Sequence, residues 1–540
     1  MNNVQESCDV LVIGSGSAAL SAALRAAHGG LGVLILEKTE WLGGTSAMSG
    51  SGVWIPDNHV AKQHGLLDSK AEAMTYLRAA SPVGWEKDED HLWQAFVDNA
   101  PTMLSFLEKN TPIRFRLVDE PDPMAEKPGG KTKGRMISPA PLSRRILGRY
   151  ARHIRRSTLP HSFTYQEVVD LDPYHHPIRA GLKIWPKLLW RKLTNSGGQG
   201  TALMTGLIRG CMDAGCHFIL NARALQLTQD ADGSVTGAIV EHKGVRLTVK
   251  AGRGVVLATG GFEWNKAMQE KHFPGPLDRL GSPRTNEGDG QNMAAAAGAR
   301  LDRMDQANVH PALPTRYHGK PHGLPMVFQA EPHSIVVNRQ GQRFVSENDF
   351  NIGEALDQRD PKTGEPLHLP AHVVGDHRFL GRSLPFRWYA SYEKNWVIKA
   401  RTLDELAAKI NVPADALKAT VERFNSMCDQ GRDTDFHRGE SSWENYKAHG
   451  PEGRLGRIDK PPYIAMSMNR SILGTKGGAR TNEYGQVLRE DGSIIAGLYA
   501  AGLAMANPLG TRSVGAGTTI GPNMTWGYIC AETMLRQNRQ

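Results

Sequence analysis

At 540 residues the chain exceeds one ordinary core, so two or more domains are expected. Its 40% hydrophobic content excludes a disordered chain, and no run of about 18 uninterrupted apolar residues predicts a membrane-spanning helix. The net charge of +9 suits an anionic ligand or surface, but with no zinc finger, no RNP-like aromatic motif and no long basic tail, nucleic acid is not expected.

The first residues, "MNNVQESCDVLVIG", carry no basic n-region or twin arginine, so no signal peptide is expected. The five cysteines, Cys8, Cys211, Cys216, Cys428 and Cys530, are odd in number and form no CxxC pair. They predict free thiols in a reducing, cytoplasmic setting.

"DVLVIG" reads as a buried strand. Gly14, Gly16 and Ala19 then fit G-x-G-x-x-G/A, with Ser15 and Ala18 inside the motif. "SAALSAALRAA" predicts a helix and "LGVLILE" a second strand, ending at Glu37 and followed by Lys38. In this order the elements predict a dinucleotide site. Gly14 permits the turn, Gly16 lets the backbone approach a pyrophosphate, and Ala19 permits close helix–strand packing. The helix N-terminus faces the phosphates and Glu37 accepts the ribose hydroxyls. Glu37 would repel a 2′-phosphate, which favours FAD or NAD over NADP. The next stretch, "WLGGTSAMSGSGVWIP", adds a second glycine and hydroxyl cluster that suits the long FAD molecule.

Between Lys131 and Lys192 stand 14 Lys/Arg against three acids, Glu167, Asp170 and Asp172. Within this basic insertion, "GLKIWPKLLWRK" places Trp185 and Trp190 among lysines. Two readings fit: a membrane-interface segment, or a solvated basic face whose tryptophans pack on the main domain. Further on, "SIVVNRQGQRFV" predicts a hairpin around Gln340-Gly341, and "TLDELAAKINVPADALKATVERFNSMCDQG" has helical periodicity.

Together, "GSGSAALSAA", "EKTEWLGGTSAMSGSGVWIP", "PDPMAEKPGG", "VVLATGGFEWN", "TNEGDGQNMAAAAGA", "SIVVNRQGQRFVSEN", "GTKGGARTNEYGQVL" and the final "GLYAAG…GAGTTIGPNMTWGY" resemble the fumarate reductase and 3-ketosteroid dehydrogenase superfamily of flavoproteins. The resemblance implies an α/β protein. A discontinuous Rossmann-like FAD-binding domain would comprise residues 1–295 and 463–540, with an inserted α+β cap, residues 296–462, over the flavin. It also implies where the cofactor residues go. Gly43, Gly44, Thr45 and Ser46 would line the pyrophosphate and flavin, and Ser51 and Gly52 would face the isoalloxazine. Ala224, in "NARALQL", and Ala258, Thr259, Gly260 and Gly261 would close the adenine side. Asp289 sits in the TNxGDG turn. Gly502 and Leu503 would reach the ribityl chain, and Thr519 and Ile520 the flavin O2 edge. With no flavin-linking histidine in sight, noncovalent FAD is expected.

The 3-ketosteroid dehydrogenases use tyrosines for proton transfer, and this chain departs at all three places. Pro123 replaces the tyrosine of a "PDY" turn, Asp349-Phe350-Asn351 follow "RFVSEN", and Ser513 stands in the C-terminal loop. Gly517 of that loop is expected to give its N–H to a substrate carbonyl. Arg512 matches the carboxylate-clamping arginine of fumarate reductases, although Leu473 replaces one of their histidines. Tyr165, Tyr174, Tyr389 and Tyr392 are the candidate bases. The expected activity is FAD-dependent α,β-dehydrogenation of a cyclic ketone, a 3-oxosteroid or a smaller alicyclic ketone, with an electron acceptor the sequence does not identify. A reductase of unsaturated carboxylates or enones is the alternative, and a flavin-binding protein without turnover a third.

Overall fold

The computed structural model describes residues 7–448 and 454–537. The first two apolar runs form parallel strands, Ser7–Ile13 and Val33–Glu37, with Val10 opposite Val33 and Ile13 opposite Leu36. The alanine-rich stretch between them is the helix Ser17–His28. The main sheet runs Gln486–Leu488, Ile494–Ala500, Val245–Leu257, Ser7–Ile13, Val33–Glu37, His217–Leu220. Strands from both ends of the chain are thus neighbours, with Leu257 between Ile13 and Ala500. Val245–Leu257 also serves a second pairing: its first half runs antiparallel to Val235–His242.

The C-terminal helix Ile520–Arg536 lies directly on Ser17–His28. A Cβ at Gly527 would stand 2.1 Å from Ala18 O, so only glycine permits the approach. Ser21 Oγ donates to Met524 O at 2.7 Å, and Arg25 pairs with Glu532. This contact brings the end of the chain to the dinucleotide turn.

A second sheet, Ser334–Val337, His372–Asp376, Tyr463–Ser467 and Ile398–Ala400, is antiparallel throughout. Its residues alternate between two apolar clusters, as a pleated strand requires. Val336, Val373, Ile464 and Met466 face Phe328, Phe379 and Phe386, whereas Ile335, Val337, Val374 and Ala465 face the helices Leu403–Ile410 and Ala414–Gln430. Tyr463–Ser467 belongs to this sheet, beyond the boundary at residue 462 drawn from the sequence. The long helical stretch divides because Asn411 takes φ 55° and Pro413 caps the second helix. The Gln340-Gly341 turn closes with Asn338 N donating to Gln342 O at 2.9 Å.

"GLKIWPKLLWRK" lies in the helix Pro177–Thr194, which kinks at Ile184 ahead of Pro186. Ala180, Ile184 and Arg191 face inward, whereas Trp185 and Trp190 are exposed. Among the described residues no helix is long and apolar enough to cross a membrane. The five cysteines are free thiols.

His161 ties the 45–52 loop to the helix Gln199–Asp213. Its Nδ1 accepts from Thr201 N at 3.1 Å and its ring also meets Met48 backbone, while burial pushes its pKa down from 6.5 to about 4. Between these values the unfolded chain binds a proton that the native protein refuses. The stabilising contribution is therefore full above pH 6.5 and is lost as pH falls toward 4. Its limit is about 3 kcal/mol. The thermal midpoint should fall over that window, and His161→Gln should flatten part of the fall. Equal slopes for the two proteins would assign the effect to other groups.

Candidate active site

Burial of the main sheet leaves a cavity at the carboxyl ends of Ser7–Ile13 and Val33–Glu37, where an open α/β sheet binds ligands. Gly14, Ser15, Gly16, Ala18, Glu37 and Lys38 line it from the first turn. The second loop supplies Gly44, Thr45, Ser46, Ser51 and Gly52. Ala224, Ala258, Thr259, Gly260, Asp289, Gly502, Leu503, Thr519 and Ile520 complete the predicted cofactor wall. Ala19 and Gly43 stand just behind this wall. Ala19 is fully buried in the core, and Gly43, at φ 105°, backs onto Ala47 and Met204 while its N–H donates to Ser15 Oγ at 3.1 Å.

The two motif glycines differ in cause. A Cβ on Gly14 would sit 2.2 Å from Ala258 O, so the protein's own backbone forbids it. A Cβ on Gly16 would meet nothing nearer than Ser46 Oγ at 3.8 Å, and its open side faces the cavity. That space is reserved for a ligand. Glu37 is aligned by Ser15 Oγ at 2.5 Å and Thr39 N at 2.9 Å. Beside it Lys38 and Arg223 grip Asp289 at 2.6 and 2.7 Å. Arg155, buried in the same wall, has an Nε with no internal partner. An open glycine face, a helix N-terminus and an unpaired guanidinium nitrogen fit a dinucleotide diphosphate with its ribose at Glu37.

Farther along the same cavity Met136, Pro325, Leu473 and Leu503 form an apolar wall. Gly517 and Tyr165 line it and bracket Gly52. A Cβ on Gly517 (φ 92°) would lie 2.5 Å from Gly52 O, and one on Gly52 would lie 3.5 Å from Tyr165 Cε2. The Gly517 N–H has no acceptor among the described residues. Its loop is fixed from several sides. Trp93 Nε1 donates to Pro508 O at 2.9 Å, Tyr76 Oη to Val514 O at 2.8 Å, and Lys476 Nζ to Gly510 O at 2.5 Å. Burial lowers the Lys476 pKa to about 8.

Tyr165 is enclosed, and burial, reinforced by nearby Glu120, holds its phenol well above the usual range. Glu120 is buried and accepts from Lys447 Nζ at 3.1 Å, and among the described residues its Oε2 has no hydrogen-bond partner.

Three expected catalytic residues lie elsewhere. Arg512 forms a bidentate pair with Glu354 at 2.7 and 2.8 Å and is absent from the cavity lining, so it is not a free anion clamp. Ser513 is turned to Asn351, which accepts its N–H at 2.8 Å and returns a bond to its carbonyl at 3.1 Å. Its hydroxyl meets Lys476 at 3.5 Å rather than the cavity. Tyr389 packs in the cap's aromatic cluster, stacked on Tyr392 at 5.7 Å.

Sequence reasoning missed Arg155, Asn286, Glu120 and Glu263. Glu263 is fully buried and collects Ser282 Oγ at 2.5 Å, Asn286 Nδ2 at 2.7 Å and Thr475 N at 3.2 Å. Asn286 also donates to Thr45 in the cofactor loop at 3.0 Å. The signal for Arg155 was its charge, submerged in the basic run.

The sequence matches the FAD binding domain family over residues 9–520. It is 38% identical to the 3-oxosteroid 1-dehydrogenase of Mycobacterium tuberculosis, covering 97% of each chain. It is 37% identical to the 4-oxocyclohexanecarboxylate 2-dehydrogenase of Sinomonas cyclohexanicum, covering 98% of this chain and 93% of that one. Its structure superposes, with a TM-score of 0.89 at 32% identity, on the 3-ketosteroid delta1-dehydrogenase of Sterolibacterium denitrificans in complex with 1,4-androstadiene-3,17-dione, covering 99% and 100% of the two chains. With this match over nearly its whole length, on a cavity shaped for a dinucleotide, the chain belongs to the FAD-binding family of oxidoreductases.

Proposed function

We propose that the protein is an FAD-dependent α,β-dehydrogenase of a cyclic ketone, a 3-oxosteroid or an alicyclic ketone such as its relatives' names describe. The observation that carries this reading is the pairing, across Gly52, of an unpaired backbone N–H on Gly517 with the enclosed phenol of Tyr165 in an apolar pocket. FAD, bound noncovalently, supplies the hydride acceptor for the β-carbon. Gly517 holds the substrate carbonyl, and its N–H strengthens toward the enolate oxygen as the α-carbon loses its proton.

Tyr165 is the proton acceptor. Its raised pKa means that it does not wait as a phenolate. Instead it takes the α-proton as its own hydroxyl proton passes to the nearby Glu120 carboxylate, so no bare phenolate forms in the pocket. The C–H electron pair becomes the enolate double bond. The unsaturated-acid reductase reading loses support because Arg512 is committed to Glu354 and Leu473 faces the pocket as hydrocarbon.

The test is anaerobic bleaching of the flavin. A 3-oxosteroid or 4-oxocyclohexanecarboxylate should reduce the yellow enzyme, with turnover restored by an artificial electron acceptor. Failure of every ketone, with reoxidation of reduced enzyme by an unsaturated acid, would reverse the assignment. Tyr165→Phe should keep the flavin spectrum and lower kcat by about 10²- to 10⁴-fold. A loss under threefold would remove Tyr165 from proton transfer. Arg512→Ala should leave the KM for an anionic ketone within about twofold and cost at most about 1 kcal/mol of stability, because its pair with Glu354 is partly exposed. A tenfold rise in KM would restore the anion clamp.

A further inference from the structure

The helix Pro177–Thr194 turns an apolar stripe outward. Ile178, Leu182, Trp185, Leu189 and Leu193 follow one another at spacings of three and four residues and are 48–73% exposed. Trp190 widens the stripe. A water-soluble helix ordinarily buries such a stripe against its own domain. Here the inward face holds Ala180, Ile184 and Arg191, and Arg191 ties the helix to Glu167 at 2.6 Å. A second exposed pair, Leu384 and Trp388, lies on the helix Leu384–Ala390, whose N-cap Ser383 donates Oγ to Tyr174 O at 2.8 Å, in the turn just before Pro177.

The charge carried by the helix itself is of one sign. The helix contains Arg179, Lys183, Lys187, Arg191 and Lys192 and no acid. Arg179, Lys183 and Lys192 have no ion-pair partner among the described residues, and Lys187 reaches Glu167 only at 3.6 Å. Arg387 is exposed beside Trp388. We infer that this face docks on an anionic phospholipid bilayer, with the leucines and tryptophans entering the headgroup boundary and the lysines meeting lipid phosphates. Two-fold pairing with a second copy would set the same unpaired cations against each other, which disfavours that occupant. Glu167 stands two residues after Tyr165, so the docked helix is joined by one ion pair to the element that carries Tyr165 into the cavity.

The flavin-loaded protein should be tested by co-sedimentation with vesicles of equal parts phosphatidylglycerol and phosphatidylcholine, against phosphatidylcholine alone. Binding should be at least about tenfold tighter to the anionic vesicles and weaken with added salt. Trp185→Ser with Leu189→Ser, and separately Lys183→Glu with Lys187→Glu, should each lower it at least tenfold. Both variants should keep their flavin absorbance and ketone turnover in detergent-free buffer, which shows that they fold. The proposal falls if the parent protein ignores anionic vesicles or if both variants bind as it does. It also falls if the serine variant instead abolishes a concentration-dependent dimer seen by light scattering.

Discussion

The carboxylate of Glu263 is the point on which the two halves of the site depend. Among the described residues it has no cationic partner, so burial raises its pKa, and hydroxyl, amide and backbone donors hold it. Those donors come from two segments, the 282–286 loop at the cavity wall and the strand Arg470–Thr475, and they converge on the turn after Val245–Leu257 that carries Glu263. Gly261 permits the arrangement, because a Cβ there would come within 2.4 Å of both Thr475 Oγ1 and Glu263 Oε2. Losing one donor would leave a buried acceptor unpaired at a cost of about 1–3 kcal/mol. The cofactor wall and the strand leading to the substrate wall therefore keep their register together.

From Thr475 the chain passes directly to Lys476, whose buried amine holds the C-terminal loop at Gly510. The loop also hangs from Tyr76 and Trp93, on two consecutive helices, and from Asn351, far from them in sequence. An N–H can stabilise a developing oxyanion only if its aim costs nothing at the moment of reaction. Gly517 meets that condition because the residues before it are immobilised and its own positive φ is set by contact with the Gly52 backbone. The serine and arginine of the loop serve this immobility. Asn351 and Glu354, both from the short cap segment Asn351–Glu354, take hold of Ser513 and Arg512.

The dinucleotide turn was legible because strand, glycines, helix and acid occur within about thirty residues, where local rules fix geometry. The turn at Gln340-Gly341 was legible for the same reason. What a loop side chain faces was not. Arg512 looks the same whether it clamps a substrate or Glu354, and Glu354 lies 158 residues away in sequence. Tyr389 and Tyr165 both sit in aromatic, unmatched stretches. Only the fold shows that one is packed among cap aromatics and the other stands against Gly50 and Gly52. The break at Asn411 escaped because apolar periodicity continues across it, and the left-handed residue and the proline interrupt the backbone without interrupting the pattern.

The basic run from Lys131 to Lys192 separates, in three dimensions, into groups with different chemistry. Arg135 is internal, bridged to Asp68 and Asp122 at 2.8 and 2.9 Å beneath Trp54, and helps support the floor of the substrate side. Arg155 lines the dinucleotide cavity. Arg144 and Arg145 bind the carbonyl end of the helix Pro177–Thr194 through Asn195 and Leu193, where cations complement the helix dipole. The exposed cations without an ion pair among the described residues divide between Arg145, Arg149, Arg152 and Arg156 before that helix and Arg179, Lys183 and Lys192 on it, and only the second group stands beside the exposed tryptophans. The composition alone could not distinguish these groups, because a formal charge count weights a buried, paired guanidinium and a free surface ammonium equally. The fold removes the first from the external field and leaves the second, so the segment presents fewer free cations than its 14 Lys/Arg imply, and those beside an apolar stripe are the ones on Pro177–Thr194.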